Sequence, residues 1–121
     1  MRALIVELST LLGKSRLFLG DDISEKYYAD WSGAEPRAPA ALVKPNTTDQ
    51  LSKVMALCHQ HDQPVVVQGG LTGLAGGATP FDGELAISLE RMQGIEEIDP
   101  IGMTLTALAG TPLQVLQEAA A

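Results

Sequence analysis

The sequence predicts an α+β fold built on a βαβ unit with a small parallel or mixed sheet, and three observations predict it. Ala41-Leu42-Val43 is a short apolar run stopped by Pro45, the pattern of a buried strand. A helix comes next, with a marked N-terminus and an apolar stripe. Thr47 and Gln50 can form a capping box, Asp49 complements the helix dipole, and Leu51, Val54, Met55 and Cys58 make an apolar stripe at i, i+3, i+4 and i+7. Val65-Val66-Val67 then reads as a second strand, since β-branched side chains pack well on a pleated surface. Strand, helix and strand in that order imply a right-handed crossover with parallel strands. The segment after Val67 then lies at the carboxyl end of a strand, where open α/β sheets usually bind ligands.

That segment is Gln68-Gly69-Gly70-Leu71-Thr72-Gly73-Leu74-Ala75-Gly76-Gly77-Ala78, with five glycines among residues 69–77. Glycine costs backbone entropy, so a plain connector does not need this many. Successive bare N–H groups in such a loop form an anion-binding nest, and the physical reading is a phosphate cradle. A glycine-rich surface turn with no ligand is the alternative. No Lys-Ser or Lys-Thr closes the loop, so it is not a Walker-type loop, and no helical pattern opens on it, as a dinucleotide-binding βαβ turn requires.

Before the βαβ unit, Leu4, Leu8, Leu11 and Leu12 have helical spacing, which predicts an amphipathic helix within residues 3–19, with Gly13 as possible punctuation. Residues 23–29 suit a helical turn, and residues 30–40, with Gly33, Pro36 and Pro39, an irregular connection that Trp31 anchors to the core. Stacking of Trp31 on a ligand is the alternative reading. After the glycine loop, residues 84–89 read as a strand with Leu85, Ile87 and Leu89 on one face. Residues 95–98 and 103–109 form a hairpin around the Asp99-Pro100-Ile101-Gly102 turn. Thr111 and Pro112 set the N-cap and first position of a last helix, which runs to Ala121 with no stop signal. That unterminated helix predicts truncation.

At 121 residues the chain is one domain at most, with 45% hydrophobic and 19% charged residues and five aromatics, so its core is aliphatic. A net charge of −7 argues against nucleic acid as a partner. The one cysteine, Cys58, lies on the apolar stripe as a small buried hydrophobe and fits a reducing compartment. His59 and His61, two apart, cannot share a helix face. They are expected to meet the last carbonyls of their helix, and no metal site is read from them. No signal peptide and no run of the ~20 apolar residues a membrane span needs is present, which makes cytoplasmic the expectation.

The loop from Gln68 to Ala78 resembles the pyrophosphate loop of FAD-linked oxidases of the vanillyl-alcohol oxidase / PCMH type. The branch it is most similar to holds glycolate oxidase subunits, D-lactate dehydrogenases and D-2-hydroxyglutarate dehydrogenases. Tyr28-Ala29-Asp30-Trp31, Ala41 to Pro45, and Leu89-Glu90-Arg91-Met92 with the stretch from Ile95 to Asp99 carry the resemblance over roughly residues 17–121.

The resemblance implies the first subdomain of a PCMH-type FAD-binding domain and the start of the second. Residues 1–40 would be a helical lead-in and residues 41–121 the truncated domain. It implies an oxidase or dehydrogenase acting on 2-hydroxy acids, FAD as cofactor, and main-chain N–H groups of Gly69, Gly70, Thr72 and Gly73 on the FAD phosphates. Leu71 and Leu74 would wall the cofactor, Gln68 would be a cofactor-binding residue where many relatives have arginine or glutamine, Gly77 and Ala78 would allow close approach, and Pro45 would border the adenine. Relatives that attach flavin from this loop use histidine where Leu71 stands here, so the FAD is expected to be non-covalent. The family's second glycine-rich segment and its cap domain have no counterpart, and no residue is nominated as catalytic. This chain alone is therefore expected to be inactive, as a truncated flavin-binding module or a subunit that needs a partner chain; a structural fragment that never holds FAD is a third possibility.

Overall fold

The computed structural model describes all 121 residues. Helix α1 (Arg2–Leu12) is followed by strand β1 (Leu17–Phe18), a 3₁₀ turn at Glu25–Tyr28, β2 (Ala41–Val43) and helix α2 (Thr48–Gln60). Then come β3 (Val65–Gln68), β4 (Leu85–Ser88), β5 (Ile95–Asp99), β6 (Thr104–Ala107) and helix α3 (Leu113–Ala120). The strands form a four-stranded sheet in the order β1-β2-β4-β3 and a separate β5-β6 pair.

The crossover from β2 through α2 to β3 has the expected parallel sense, but the two strands are not neighbours. Strand β4 lies between them, parallel to both, with Leu42 and Val66 each opposite Ala86. All four β4 residues are buried, so both faces of this strand are covered rather than the one face expected. The alternation of side chains divides the core accordingly. Ala41, Val43, Leu85 and Ile87 face α1 and α2, together with Leu4, Leu8, Leu12, Val54 and Cys58. Leu42, Val66 and Ala86 face the other way, onto Ile23 and Tyr27.

Helix α1 stops at Leu12, where Gly13, the expected punctuation, takes a φ of 80° and donates its N–H to the Ser9 carbonyl. Leu17 and Phe18, for which no strand was expected, pair antiparallel with Val43 and Leu42. In α2 the Thr47 hydroxyl accepts the Gln50 N–H at 3.1 Å, while the Gln50 carboxamide reaches past Thr47 to accept the Asn46 N–H at 2.8 Å. The α2 stripe is rotated from expectation: Met55 is exposed, and Leu57 packs on the core instead. Cys58 is buried, as read, and desolvation raises its thiol pKa. His61 does not meet a helix carbonyl with its ring; Nε2 contacts the Glu7 carboxylate of α1.

The hairpin forms as predicted, with Asp99 accepting the N–H groups of Ile101 and Gly102 at 3.1 and 3.0 Å. Thr111 does not cap α3. Its hydroxyl accepts the Gly94 N–H at 3.0 Å and donates to the Leu108 carbonyl at 2.7 Å, tying the base of the hairpin, and Pro112 takes the N-cap position. None of the helices is long and apolar enough to cross a membrane.

Candidate functional site

The carboxyl ends of β3 and β4 open onto a cleft of about 720 Å³. One wall is the first half of the glycine loop, Gly69 to Thr72. The opposite wall is Ala109 to Leu113, the connection from β6 into α3, and the floor and rim include Lys26, Tyr27, Trp31 and Glu90. Two segments some forty residues apart thus face each other across one cleft, consistent with ligand sites at the carboxyl end of a parallel sheet.

The main-chain donors of the loop are left free by the protein. None of the N–H groups from Gly69 to Gly77 donates to another group of the protein, backbone or side chain. Loops normally satisfy such groups internally or leave them to solvent and ligands. A Cβ built on Gly69 or Gly70 would meet nothing within 4 Å, and neither has a φ in the left-handed region. Leu71, between them and Thr72, does have a left-handed φ of 61°. A bulky residue in that region costs of order 1–3 kcal/mol and points to a constraint. Here its side chain packs on the Ile23–Tyr27 cluster, which holds the backbone in place.

The root and far end of the loop are fixed from behind. Gln68 is fully buried, and its Nε2 donates to the carbonyls of Tyr27 at 2.9 Å and Ala78 at 3.0 Å, leaving its Oε1 without a partner. The Ala78 N–H donates to Asp30, and the Gly73 carbonyl accepts the Trp31 N–H. Gly73, Leu74, Gly77 and Ala78 lie beyond the cleft wall, and Leu74 projects into solvent at 77% exposure, so it walls nothing in this chain. Pro45 is fully buried at the end of β2, away from the cleft. Trp31 is not a core anchor: it is 70% exposed at the rim of the cleft.

Sequence reasoning did not foresee the wall from Ala109 to Leu113, nor Lys26 and Glu90. The one local signal was Gly110, directly before a helix start. Glu90 collects three partners: the Tyr27 hydroxyl, the Lys44 ammonium at 2.9 Å and the Lys26 ammonium at 3.5 Å. Partial burial pushes its carboxyl up, but the hydrogen bonds from Tyr27 and Lys44 and the two positive charges outweigh it and hold the pKa at about 2. Glu90 is thus ionised at neutral pH and a poor general base. The Lys44 ammonium also lies over the Phe18 and Tyr27 rings, at 4.7 and 4.8 Å from their centroids. The site is equipped to bind an anionic, partly apolar ligand.

Fold and cleft together define a PCMH-type flavin domain. Solved structures of p-cresol methylhydroxylase (TM-score 0.83, 22% identity) and alkyldihydroxyacetonephosphate synthase (TM-score 0.85, 18% identity) share the fold, each match covering 98% of this chain and 24% of the other. Residues 39–121 match the FAD binding domain family, and the chain belongs to it. It is 35% identical over 96 residues to a D-2-hydroxyglutarate dehydrogenase of Xanthomonas citri pv. viticola, a match covering 79% of this chain and 20% of that protein. An uncharacterized FAD-linked oxidoreductase of Mycobacterium tuberculosis is 30% identical over 122 residues, covering 100% of this chain and 27% of the relative. Glycolate oxidase subunit GlcD of Bacillus subtilis is 36% identical over 72 residues, covering 60% of this chain and 15% of that subunit. The chain therefore spans 15–27% of the length of these curated relatives. FAD is the cofactor of this family, and the unpartnered N–H groups of the loop fit its phosphates.

Proposed function

We propose that this chain is the FAD-binding portion of a flavin-dependent oxidoreductase that acts on 2-hydroxy acids of the glycolate or D-lactate type. The loop from Gln68 to Ala78 takes the FAD pyrophosphate. The observation that carries this reading is the run of N–H groups from Gly69 to Gly77 with no partner in the protein, in a loop whose first half walls a cleft at the carboxyl end of the sheet. In a chain of net charge −7, backbone dipoles are the means of holding a diphosphate without surplus lysines. The substrate class rests on the relatives named D-2-hydroxyglutarate dehydrogenase and glycolate oxidase subunit.

A bound flavin supplies the hydride acceptor, and the protein positions it. Gly69 and Gly70 admit the phosphates, the Thr72 hydroxyl adds a donor, and Leu71, an aliphatic side chain, makes no covalent bond to the ring system, so this loop holds FAD non-covalently. Residues 41–121 form the N-terminal part of the flavin domain, with residues 1–40 packed onto it. The buried, unpaired Cys58 suits a reducing compartment such as the cytoplasm.

A second reading is an inactive flavin-binding module, or a subunit completed by a separate chain that carries the rest of the flavin domain and a cap. It is favoured by the apolar surface along the hairpin and α3. Ile101 and Met103 are 96% and 89% exposed, Leu113 is 67% exposed, and α3 has no buried residue.

Titration of the purified chain with FAD, read by flavin fluorescence and melting temperature, tests the reading. Saturable binding is expected, and Gly70→Ala, whose Cβ enters open space, is expected to stay folded while losing roughly ten- to a hundred-fold in affinity, because the added methyl group occupies the space a phosphate must enter and holds it off the main-chain N–H groups, where a hydrogen bond to a charged group is worth about that much. Equal affinity of the folded variant would refute the phosphate role of the loop.

A further inference from the structure

The loop that faces the cleft is held by a residue that does not line the cleft. Asp30 is 8% exposed and lies behind the far end of the loop. Its Oδ1 accepts the Ser32 N–H at 3.0 Å and the Thr79 hydroxyl at 3.3 Å, and its Oδ2 accepts the Ala78 N–H at 3.4 Å. Its own N–H donates to the Thr79 hydroxyl oxygen at 3.2 Å. One residue on, the Trp31 N–H donates to the Gly73 carbonyl at 2.9 Å, in the middle of the loop. A Cβ on Gly76, which has a φ of 84°, would come within 3.5 Å of the Ser32 hydroxyl.

We propose that Asp30 is the positioning residue of this loop. Through Thr79, Ala78 and the adjoining Trp31–Gly73 bond it holds residues 69–77 in the conformation that leaves their N–H groups free of the protein and open to a diphosphate. The inference rests on the reading of this loop as the phosphate site. Its physical basis is preorganisation. Five glycines in nine residues give the untethered loop a large conformational entropy, and a ligand that must order it loses that free energy from its affinity. Asp30 settles the ordering at folding, before the ligand arrives.

A carboxylate beside a phosphate site looks unfavourable, but its three donors all belong to the protein, so its charge is engaged behind the loop rather than offered to the cleft. The proximity of Ser32, side chain and main chain, together with the Ala78 N–H and Thr79, also keeps its carboxyl below the ordinary carboxylate range. The ionised form of Asp30 has lone pairs enough to accept all three bonds. The residue is not among those lining the cleft, so its effect on a ligand is indirect.

The test uses the full chain, with FAD and riboflavin as paired ligands, because riboflavin carries the ring system without the diphosphate. Wild type, Asp30→Ala, Thr79→Val, Thr79→Ser and the loop variant Gly70→Ala are titrated by flavin fluorescence, with circular dichroism confirming that each is folded. Asp30→Ala and Thr79→Val are expected to weaken FAD binding about tenfold or more, while riboflavin binding changes less than about twofold. Thr79→Ser keeps the hydroxyl and is expected to stay within about twofold of wild type for FAD.

FAD affinity unchanged in folded Asp30→Ala and Thr79→Val, with Gly70→Ala impaired, would overturn the positioning role and leave the phosphate reading standing. An equal loss for both flavins would also overturn it, since a merely structural residue acts on both. If wild type takes up no FAD, the phosphate reading fails first and the positioning role with it. Should Asp30→Ala fail to fold, the Thr79→Val and Thr79→Ser pair decides by the same comparison of FAD with riboflavin.

Discussion

A Cβ on Gly110 would stand 1.7 Å from the Leu89 carbonyl oxygen and 3.0 Å from that of Met92. The turn after β4 and the turn after β6 are thus in backbone contact, with the Gly110 N–H donating to Met92 at 2.9 Å and the Met92 N–H to Leu89 at 2.8 Å. This contact docks the hairpin on the sheet and brings Ala109 to Leu113 to the cleft. Neither carbonyl can yield without opening a turn. Gly110→Ala is therefore expected to destabilise the chain by about 3 kcal/mol or more, at the upper end of overpacking costs. Urea denaturation would measure it.

Glu90 makes stability depend on acid pH. Its folded pKa is lowered from 4.5 to about 2, so the ionised form is favoured by folding. Its contribution is fully present above about pH 4.5 and is lost as pH falls toward 2. After discounting for solvent screening of a partly exposed group, the loss is on the order of 1 kcal/mol. Glu90→Gln is expected to flatten the melting temperature between pH 5 and 3 relative to wild type, as followed by circular dichroism.

Helix α1 is part of the core rather than an appendage, because Leu4, Leu8 and Leu12 share one buried cluster with β2, β4 and α2. Leu8→Ala is expected to cost about 2–5 kcal/mol, the range for a buried leucine that leaves a cavity. Met55→Ala, on the exposed side of α2, is expected to change stability by less than about 0.5 kcal/mol. Equal losses in thermal unfolding would contradict the rotated stripe.

Trp31 is the single tryptophan and stands 70% exposed at the rim of the cleft. Its fluorescence is expected to fall as FAD fills the cleft, and Trp31→Phe is expected to shift stability by less than about 0.5 kcal/mol. An emission unaffected by saturating FAD would place the cofactor elsewhere.

Much of the local structure was legible in the sequence. The strands at Ala41–Val43 and Val65–Gln68, the capped helix after Thr47, the Asp99 turn and the glycine loop all formed where expected. Each is decided within a few residues, by β-branched packing, side-chain caps or turn chemistry. Misread features had non-local causes. The strand at Leu17 and Phe18 carries no signal of its own and forms only because Val43 and Leu42 offer an edge, and the Thr111 hydroxyl abandons the cap because Gly94 and Leu108 lie within reach.

The sequence by itself thus determined the α+β class, the family and the loop that defines the candidate site, since these depend on residue type and near spacing. Only the tertiary structure decided that β4 enters between β2 and β3, that Trp31 stands at the cleft, and that Gly69 to Thr72 meets Ala109 to Leu113. Those outcomes depend on which distant surfaces pack and which distant donors find acceptors, and no window of neighbouring residues contains that information.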